Sequence, residues 1–407
     1  MFEIDGNFSY VCMGVFMKKI IFFKGCVETL AFFSQQLCDA FQNLGYETFM
    51  FDMNEPFDSF NALLNFCHKG EAVMITFNFI GLSGEDIFIS GSRLFFDEYG
   101  IRCLNIVVDH PFYYHKNFRH LPADYIQFNI DRTHRSYMQR FFKHVKLGEY
   151  LPLAGTSADR VRNYGYTPIR ERDTIDIMFV GNYTPPEHFN RLITRLNDDY
   201  TKFYHEIIDD LITHPDMTMD YAFEQHILQE IPDITDSDLV KCMENMTFID
   251  LYVRFYIRKK AIEKLVDNGF KVDVYGNGFD QLACRHHENL IMHGSIRSSL
   301  CLKKLSRAKI SLNVMPWFKD GAHDRIFNAA MNGACNLTDG STYLHEIFDE
   351  SDCVTFYDLS DMDKLPELAG HLLGNYDKLQ KMADTAYNIT AHSHTWAARA
   401  GILCKYI

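Results

Sequence analysis

Short apolar runs recur along the chain, and between them lie stretches whose apolar residues are spaced for one face of a helix. Residues 19–23 open the series as a buried strand. Leu30, Phe33, Leu37, Phe41 and Leu44 follow at helical spacing up to Gly45, and 46–51 is the next strand. The alternation continues with a helix over 59–67, a strand over 72–77, a helix over 92–99 and strands over 102–108 and 125–129. A helix over 132–142 then leads to an extended piece at 145–147. The first residues, 2–16, have strand composition around Asp5-Gly6-Asn7 and read as a hairpin or an extra leading strand. Continuous apolar strands separated by helices predict a parallel α/β sheet.

A second series begins after Pro168 and the charge cluster at 170–173, which reads as an interdomain linker following a crossing segment at 151–155. Strand 175–180 ends in Gly181-Asn182, and 187–268 is helical, acidic and too long for one crossover. It is read as an insertion between the first two strands of the second sheet, its acidic runs being solvated faces rather than metal sites. Sheet logic resumes at 270–275, ending in Gly276-Asn277-Gly278, and continues through 290–293, 310–314, 334–337 and 354–357. Helices are expected over 297–308, 365–373, 376–387 and 392–403, the last placed to pack back on the first domain. The expected domains are therefore 1–170, 171–388 with the insertion at about 187–268, and a tail at 389–407.

Composition narrows the class. A chain of 407 residues with 47% hydrophobic content supports two cores, and a formal charge of −14 argues against a general nucleic-acid or anionic-membrane surface. Eleven cysteines without a Cys-x-x-Cys pair read as core fillers in a reducing compartment, and no run is long enough to span a membrane; a cytoplasmic location is expected.

Candidate chemistry gathers at strand ends. Residues 309–348 read strand, loop, helix, strand, helix; the loop delivers Gly321-Ala322, then His323, Asp324 and Arg325 at a helix start. Unpaired backbone N–H groups, an imidazole and a guanidinium could converge there on a phosphate. On spacing alone, Arg325 paired with Asp324 or a surface carboxylate fits as well. Asp109-His110-Pro111 follows strand 102–108, where a base or a hydroxyl-binding group would stand; an Asp-mediated turn fits equally. Glycine near Gly25 lacks the Gly-x-Gly-x-x-Gly spacing, which disfavours a nicotinamide oxidoreductase.

The run Gly321-Ala322-His323-Asp324-Arg325-Ile326-Phe327-Asn328-Ala329-Ala330, followed by Gly333-Ala334 and Leu344-x-Glu346-x-Phe348, resembles the CgeB-like glycosyltransferases and, more broadly, nucleotide-sugar-dependent transferases of the GT-B fold. Asp109-His110-Pro111, Gly181-Asn182, Tyr275 to Gly278 and His394-Thr395-Trp396-x-x-Arg399 look similar too. The resemblance implies two Rossmann-like α/β domains facing across a cleft. It places a donor pyrophosphate at His323 and Arg325 with backbone at Gly181-Asn182 and Gly321-Ala322, ribose hydroxyls at Glu346, and the base near Tyr275, Gly276, Asn277, Gly278 and His293. It implies no cofactor beyond the nucleotide-diphosphate sugar, no metal, and a hydroxyl acceptor such as a glycan, a protein or a small molecule. If the reaction inverts the anomeric carbon, Asp109 or His110 is the base; if it retains, neither need be. An epimerase, a sugar phosphorylase or a non-catalytic nucleotide-sugar binder would share the phosphate-binding end.

Overall fold

Strand β3 (Ala72–Phe77) is buried at every position, which fits a central strand covered on both faces, and it lies in the middle of the first sheet. Around it run β1 (Lys19–Lys24), β2 (Thr48–Asp52), β4 (Arg102–Val107) and β5 (Tyr125–Asn129) in the order β2-β1-β3-β4-β5, all parallel. Helices α1 (Glu28–Asn43), α2 (Pro56–Phe66) and α3 (Arg132–Phe141) flank it. This computed structural model describes residues 19–91, 93–158, 166–172, 175–348 and 352–407; the expected hairpin over 2–16 lies outside them.

The second sheet has six parallel strands, β6 (Ile175–Val180), β7 (Val272–Tyr275), β8 (Leu290–Met292), β9 (Ala308–Asn313), β10 (Cys335–Asp339) and β11 (Val354–Tyr357), ordered β8-β7-β6-β9-β10-β11. Strand order reverses between β1 and β3 in one sheet and between β6 and β9 in the other. Loops beyond those strand ends form the crevices where such sheets take ligands.

Between β6 and β7 the insertion contributes α4 (Asp198–Thr213), α5 (Met219–Glu230), α6 (Asp236–Glu244) and α7 (Thr247–Asp267). Its acidic faces are not merely solvated. Arg140 of α3 pairs with Glu224 at 2.6 Å and Asp236 at 2.9 Å, Arg119 pairs with Glu244 at 2.9 Å, and the Tyr113 hydroxyl donates to Asp250. The insertion thus straps the second domain to the first. At the carboxyl end, α10 will denote Trp396–Leu403, after α8 (Asp324–Met331) and α9 (Thr342–Ile347). It returns to α1, with Trp396 5.3 Å from Phe33 and its indole N–H donating to Thr156 at 3.0 Å.

Three expectations change in detail. The helix over 92–99 contracts to Phe95–Glu98, because a two-residue hairpin, Ile89–Ser90 with Arg93–Leu94, uses the chain before it. The helix over 376–387 extends to Ser393. Arg172, read as part of a charged interdomain linker, is buried: its guanidinium donates to the carbonyls of Thr167 (2.8 Å), Ala308 (2.5 Å) and Asn332 (2.9 Å), pinning the segment to the second domain.

Candidate functional site

A cavity of about 460 Å³ lies where the crevices of the two sheets meet. On the first-domain side, the turn after β3 holds Asn78 at φ +48° and Phe79 at φ +62°, a left-handed conformation that bulky side chains avoid. Side chains hold it there. Asn78 accepts the Val108 N–H at 2.8 Å and donates to Asp109 at 2.8 Å; Asn105 accepts the Phe79 N–H at 3.1 Å. The Tyr114 hydroxyl also donates to Asp109, at 3.1 Å. Both bonds fall on Oδ2, so Oδ1 has no hydrogen-bond partner among the described residues.

His110 is buried beside it. Its Nδ1 accepts the Phe112 N–H at 3.2 Å, which leaves the ring proton on Nε2, facing Asp220 of α5 at 3.8 Å. Burial pushes the Asp220 carboxyl up, but the His110 ring and Thr218 outweigh it and leave that carboxyl below its ordinary range.

The opposite wall is cationic. His323 caps α8, and its Nδ1 accepts from the Arg325 Nε at 3.2 Å, so the neutral ring presents Nε2–H. Burial first, then the charges of Arg325, Arg254 and Arg258, hold the imidazole pKa well below its ordinary value. Arg254 and Arg258 come from α7. Asp250 grips Arg254 side-on through Nε (2.9 Å) and Nη2 (2.6 Å), leaving Nη1 for another partner. Arg258 lies between Phe179 and Phe255, donates to the Asn182 carbonyl, and has no carboxylate within ion-pair distance among the described residues. Burial, then repulsion by Arg325 and Arg254, drives its pKa well below normal. An anion is what this wall lacks.

Of the expected residues, Asp109, His110 and His323 line one cavity, together with Asn78, Tyr114, Arg254 and Arg258. Arg325 stands behind His323, donating to the Val180 carbonyl at 2.5 Å. Glu346 lies apart, in a bidentate pair with Arg132 of the first domain, both bonds at 2.8 Å. Gly181, at φ +149°, leaves room for the Arg325 guanidinium, and a Cβ on Gly276 would stand 2.1 Å from the Gly181 carbonyl oxygen. These loops pack on each other: the Asn277 N–H donates to Asn182 at 3.0 Å, and a Cβ on Gly278 would meet the Tyr183 carbonyl at 2.0 Å. Tyr275 stacks on His293 at 4.3 Å, and His293 bonds Asp273 at 2.6 Å. Gly321 closes on the first domain, where a Cβ would lie 2.5 Å from the Ile130 carbonyl, and Ala322 is fully buried.

Sequence reading missed Arg254 and Arg258. Their signal was present: Asp250, Arg254 and Arg258 recur at every fourth position and therefore share one face of α7. Asn78 and Tyr114 carried no such signal, because only the strained turn and the folded loop bring them to Asp109.

Buried histidines give the fold a pH dependence. Burial chiefly depresses His115 to about 3 and His134 and His394 to about 4. Their stabilising contribution is complete above the unfolded pKa of about 6.5 and is lost as pH falls towards 4, by roughly 3 kcal/mol for His134 alone. Asp339, pushed up to about 6 by burial, and Asp320 and Asp324, also raised by burial, work in the opposite sense, while buried His323, held well below its ordinary value, adds to the histidines, which outnumber them. Urea unfolding should therefore show a midpoint that drops between pH 6.5 and 4.5; a constant midpoint would contradict these assignments.

Residues 258–405 match a family model described as glycosyl transferase-like, which covers less than half of the chain. No curated protein matches in sequence. In structure the chain is similar to the sucrose-phosphate synthase of Thermosynechococcus elongatus, with a TM-score of 0.56 at 10% identity, covering 96% of this chain and 98% of that one. It is also similar to the T4 phage β-glucosyltransferase (TM-score 0.53, 12% identity, 96% and 98% covered) and to a glycosyltransferase of avilamycin A biosynthesis (0.52, 11%, 96% and 96%). The fold is of GT-B type: two Rossmann-like α/β domains, here with a helical insertion in the second. No helix among the described residues is long and apolar enough to cross a membrane, and no three metal-ligating side chains cluster among them.

Proposed function

We propose that the protein is a metal-independent glycosyltransferase that moves a sugar from a nucleotide-diphosphate donor to an acceptor hydroxyl, and that it is akin to the CgeB-like group. The observation that carries this reading is the cavity itself, with an unneutralised cationic wall on one side and a hydrogen-bonded carboxylate on the other. The diphosphate fits against Arg254, Arg258 and the Nε2–H of His323, with Arg325 acting through His323. As the bond from the anomeric carbon to the β-phosphate oxygen breaks, its electron pair stays with the nucleoside diphosphate. Fixed guanidinium groups in a dry site stabilise that developing charge without a cation having to be recruited. The acceptor oxygen forms the new bond to the anomeric carbon. In an inverting reaction its proton goes to Oδ1 of Asp109, and His110, whose Nδ1 accepts the Phe112 N–H, would reach the sugar or acceptor with its Nε2–H only by turning that proton from Asp220.

Glu346 would reach ribose hydroxyls only by exchanging Arg132 for them. We therefore expect Glu346→Gln to leave nucleoside-diphosphate affinity within about twofold, since an exposed ion pair of this kind contributes little; a loss of tenfold or more in a UDP or GDP titration would return Glu346 to the ribose. The reading as a whole is tested by thermal stabilisation with a panel of nucleotide sugars. A donor present at about 100 times its Kd adds roughly 2.7 kcal/mol to stability, and that gain should vanish in Arg325→Ala. Isomerisation of a nucleotide sugar without any acceptor would point instead to an epimerase.

A further inference from the structure

The formal charge of −14 is unevenly spread: residues 289–319 contain no Asp or Glu, in a chain that has 54 of them. Six Lys and Arg lie in that stretch. Two are spent inside the fold, Lys309 on Asp176 at 2.7 Å and Lys319 on the Pro215 carbonyl. The charged ends of the other four, Arg297, Lys303, Lys304 and Arg307, make no hydrogen bond or ion pair among the described residues. These four sit on one surface helix, Ser298–Leu305, and at its two ends. Leu302 and Leu305 bury the inner face of this helix, while Leu300 is 49% exposed on the outer one. Helical spacing sets Leu300 beside Lys303 and Lys304. Backbone bonds tie in both ends, the Leu300 N–H donating to the Arg297 carbonyl at 3.0 Å and the Arg307 N–H to the Lys304 carbonyl at 2.9 Å. The helix starts against α1, where the Ser298 N–H and hydroxyl donate to the two Glu28 carboxylate oxygens at 2.9 and 2.7 Å. Val27, next to Glu28, is 51% exposed and also lines the cavity, so the cavity meets the surface beside this helix.

Unpaired cations around a protruding leucine complement an anionic surface that has an apolar layer beneath it. A nucleic-acid backbone would use the charges but gives Leu300 and Val27 nothing to enter, whereas lipid headgroups over acyl chains accommodate both. Four cations on one helix are enough to hold anionic lipid, and at physiological salt the acidic remainder of the chain is screened beyond about 8 Å. We propose that helix Ser298–Leu305 and the start of α1 form a docking face for an anionic lipid bilayer. In this arrangement Arg297, Lys303, Lys304 and Arg307 meet the headgroups, and Leu300 and Val27 reach the acyl boundary. Docking of this kind holds the cavity mouth at the bilayer. It goes beyond the donor reading and does not depend on it.

The test sediments the full chain with phosphatidylcholine vesicles, with and without about one-third phosphatidylglycerol, at low and high salt. Wild type is compared with Leu300→Ser, with Lys303→Gln/Lys304→Gln, and with Lys378→Gln/Lys381→Gln, which removes the same charge from a different helix; each is checked for native melting. Wild type should sediment with the phosphatidylglycerol vesicles alone, and less so as salt rises. A cation at such a surface is worth about fivefold in partitioning, so Lys303→Gln/Lys304→Gln should bind about 25-fold more weakly. Leu300→Ser should lose about fivefold, and the distant pair should stay within about twofold of wild type. Absence of vesicle binding by wild type, equal losses in the two lysine pairs, or full binding by Leu300→Ser would overturn the docking face. So would binding of a single-stranded oligonucleotide, but not of vesicles, that is lost in Lys303→Gln/Lys304→Gln. Titrations of UDP and GDP should be alike in all four proteins, so a failure here leaves the donor reading untouched.

Discussion

Replacing Arg258 by methionine should cut nucleotide-sugar turnover by about 10²–10³-fold and at the same time make the unliganded protein more stable. The two effects have one cause. In the free protein Arg258 faces Arg254 and Arg325 with no carboxylate of its own, and its charge is disfavoured by burial and by those neighbours. Against this stand one hydrogen bond to the Asn182 carbonyl and contacts with the rings of Phe179 and Phe255, at 5.3 and 5.4 Å. Such ring contacts are worth about 0.5–2 kcal/mol, and methionine keeps the apolar packing that underlies them. Removing an uncompensated buried cation should leave a net gain of roughly 1 kcal/mol. A bound diphosphate reverses the balance, because it is the anionic partner that Arg258 lacks. Urea unfolding with and without UDP or GDP measures both halves: higher stability without ligand, and no ligand-induced gain.

Asp109→Asn should lower turnover by about 10²–10⁴-fold without changing nucleoside-diphosphate affinity, provided the reaction inverts. The substitution preserves the shape of the side chain and its place beside Asn78 and Tyr114, so the strained turn at Asn78-Phe79 keeps most of its support. What it removes is the proton acceptor. Steady-state rates together with UDP and GDP titrations separate the two effects. Equal loss of binding and turnover would make Asp109 a structural residue, and unchanged turnover would fit a retaining reaction in which a donor phosphate oxygen takes the proton.

Much of the fold was legible because it rests on local patterning. Strands β3 and β6 coincide with mainly apolar runs bounded by turn residues, since a strand inside a parallel sheet leaves little choice of residue, and β5 and β11 at the sheet edges keep their expected bounds with more polar or half-exposed positions. The candidate site was legible only where the residues proposed for it lie at strand ends, as at Asp109-His110 and His323. Its other half was hidden by distance along the chain. Arg254 reaches the cavity because Asp250, itself bonded to Tyr113 far earlier in sequence, holds it there. The insertion reads as an ordinary amphipathic helical segment until Arg119 and Arg140 of the first domain are seen on its carboxylates. Glycine was the least reliable guide. Gly276, Gly278 and Gly321 do sit where a side chain cannot, but what fills the space is backbone of Gly181, Tyr183 and Ile130.

The most direct test is a calorimetric titration of UDP and GDP, in buffer with EDTA, into wild type and Arg258→Met. One of the two nucleotides should bind wild type with an affinity that EDTA does not alter and that rising salt weakens, and Arg258→Met should bind it at least about 100-fold more weakly. Binding of equal strength to both proteins, or binding that disappears with EDTA, would contradict an arginine-built diphosphate site.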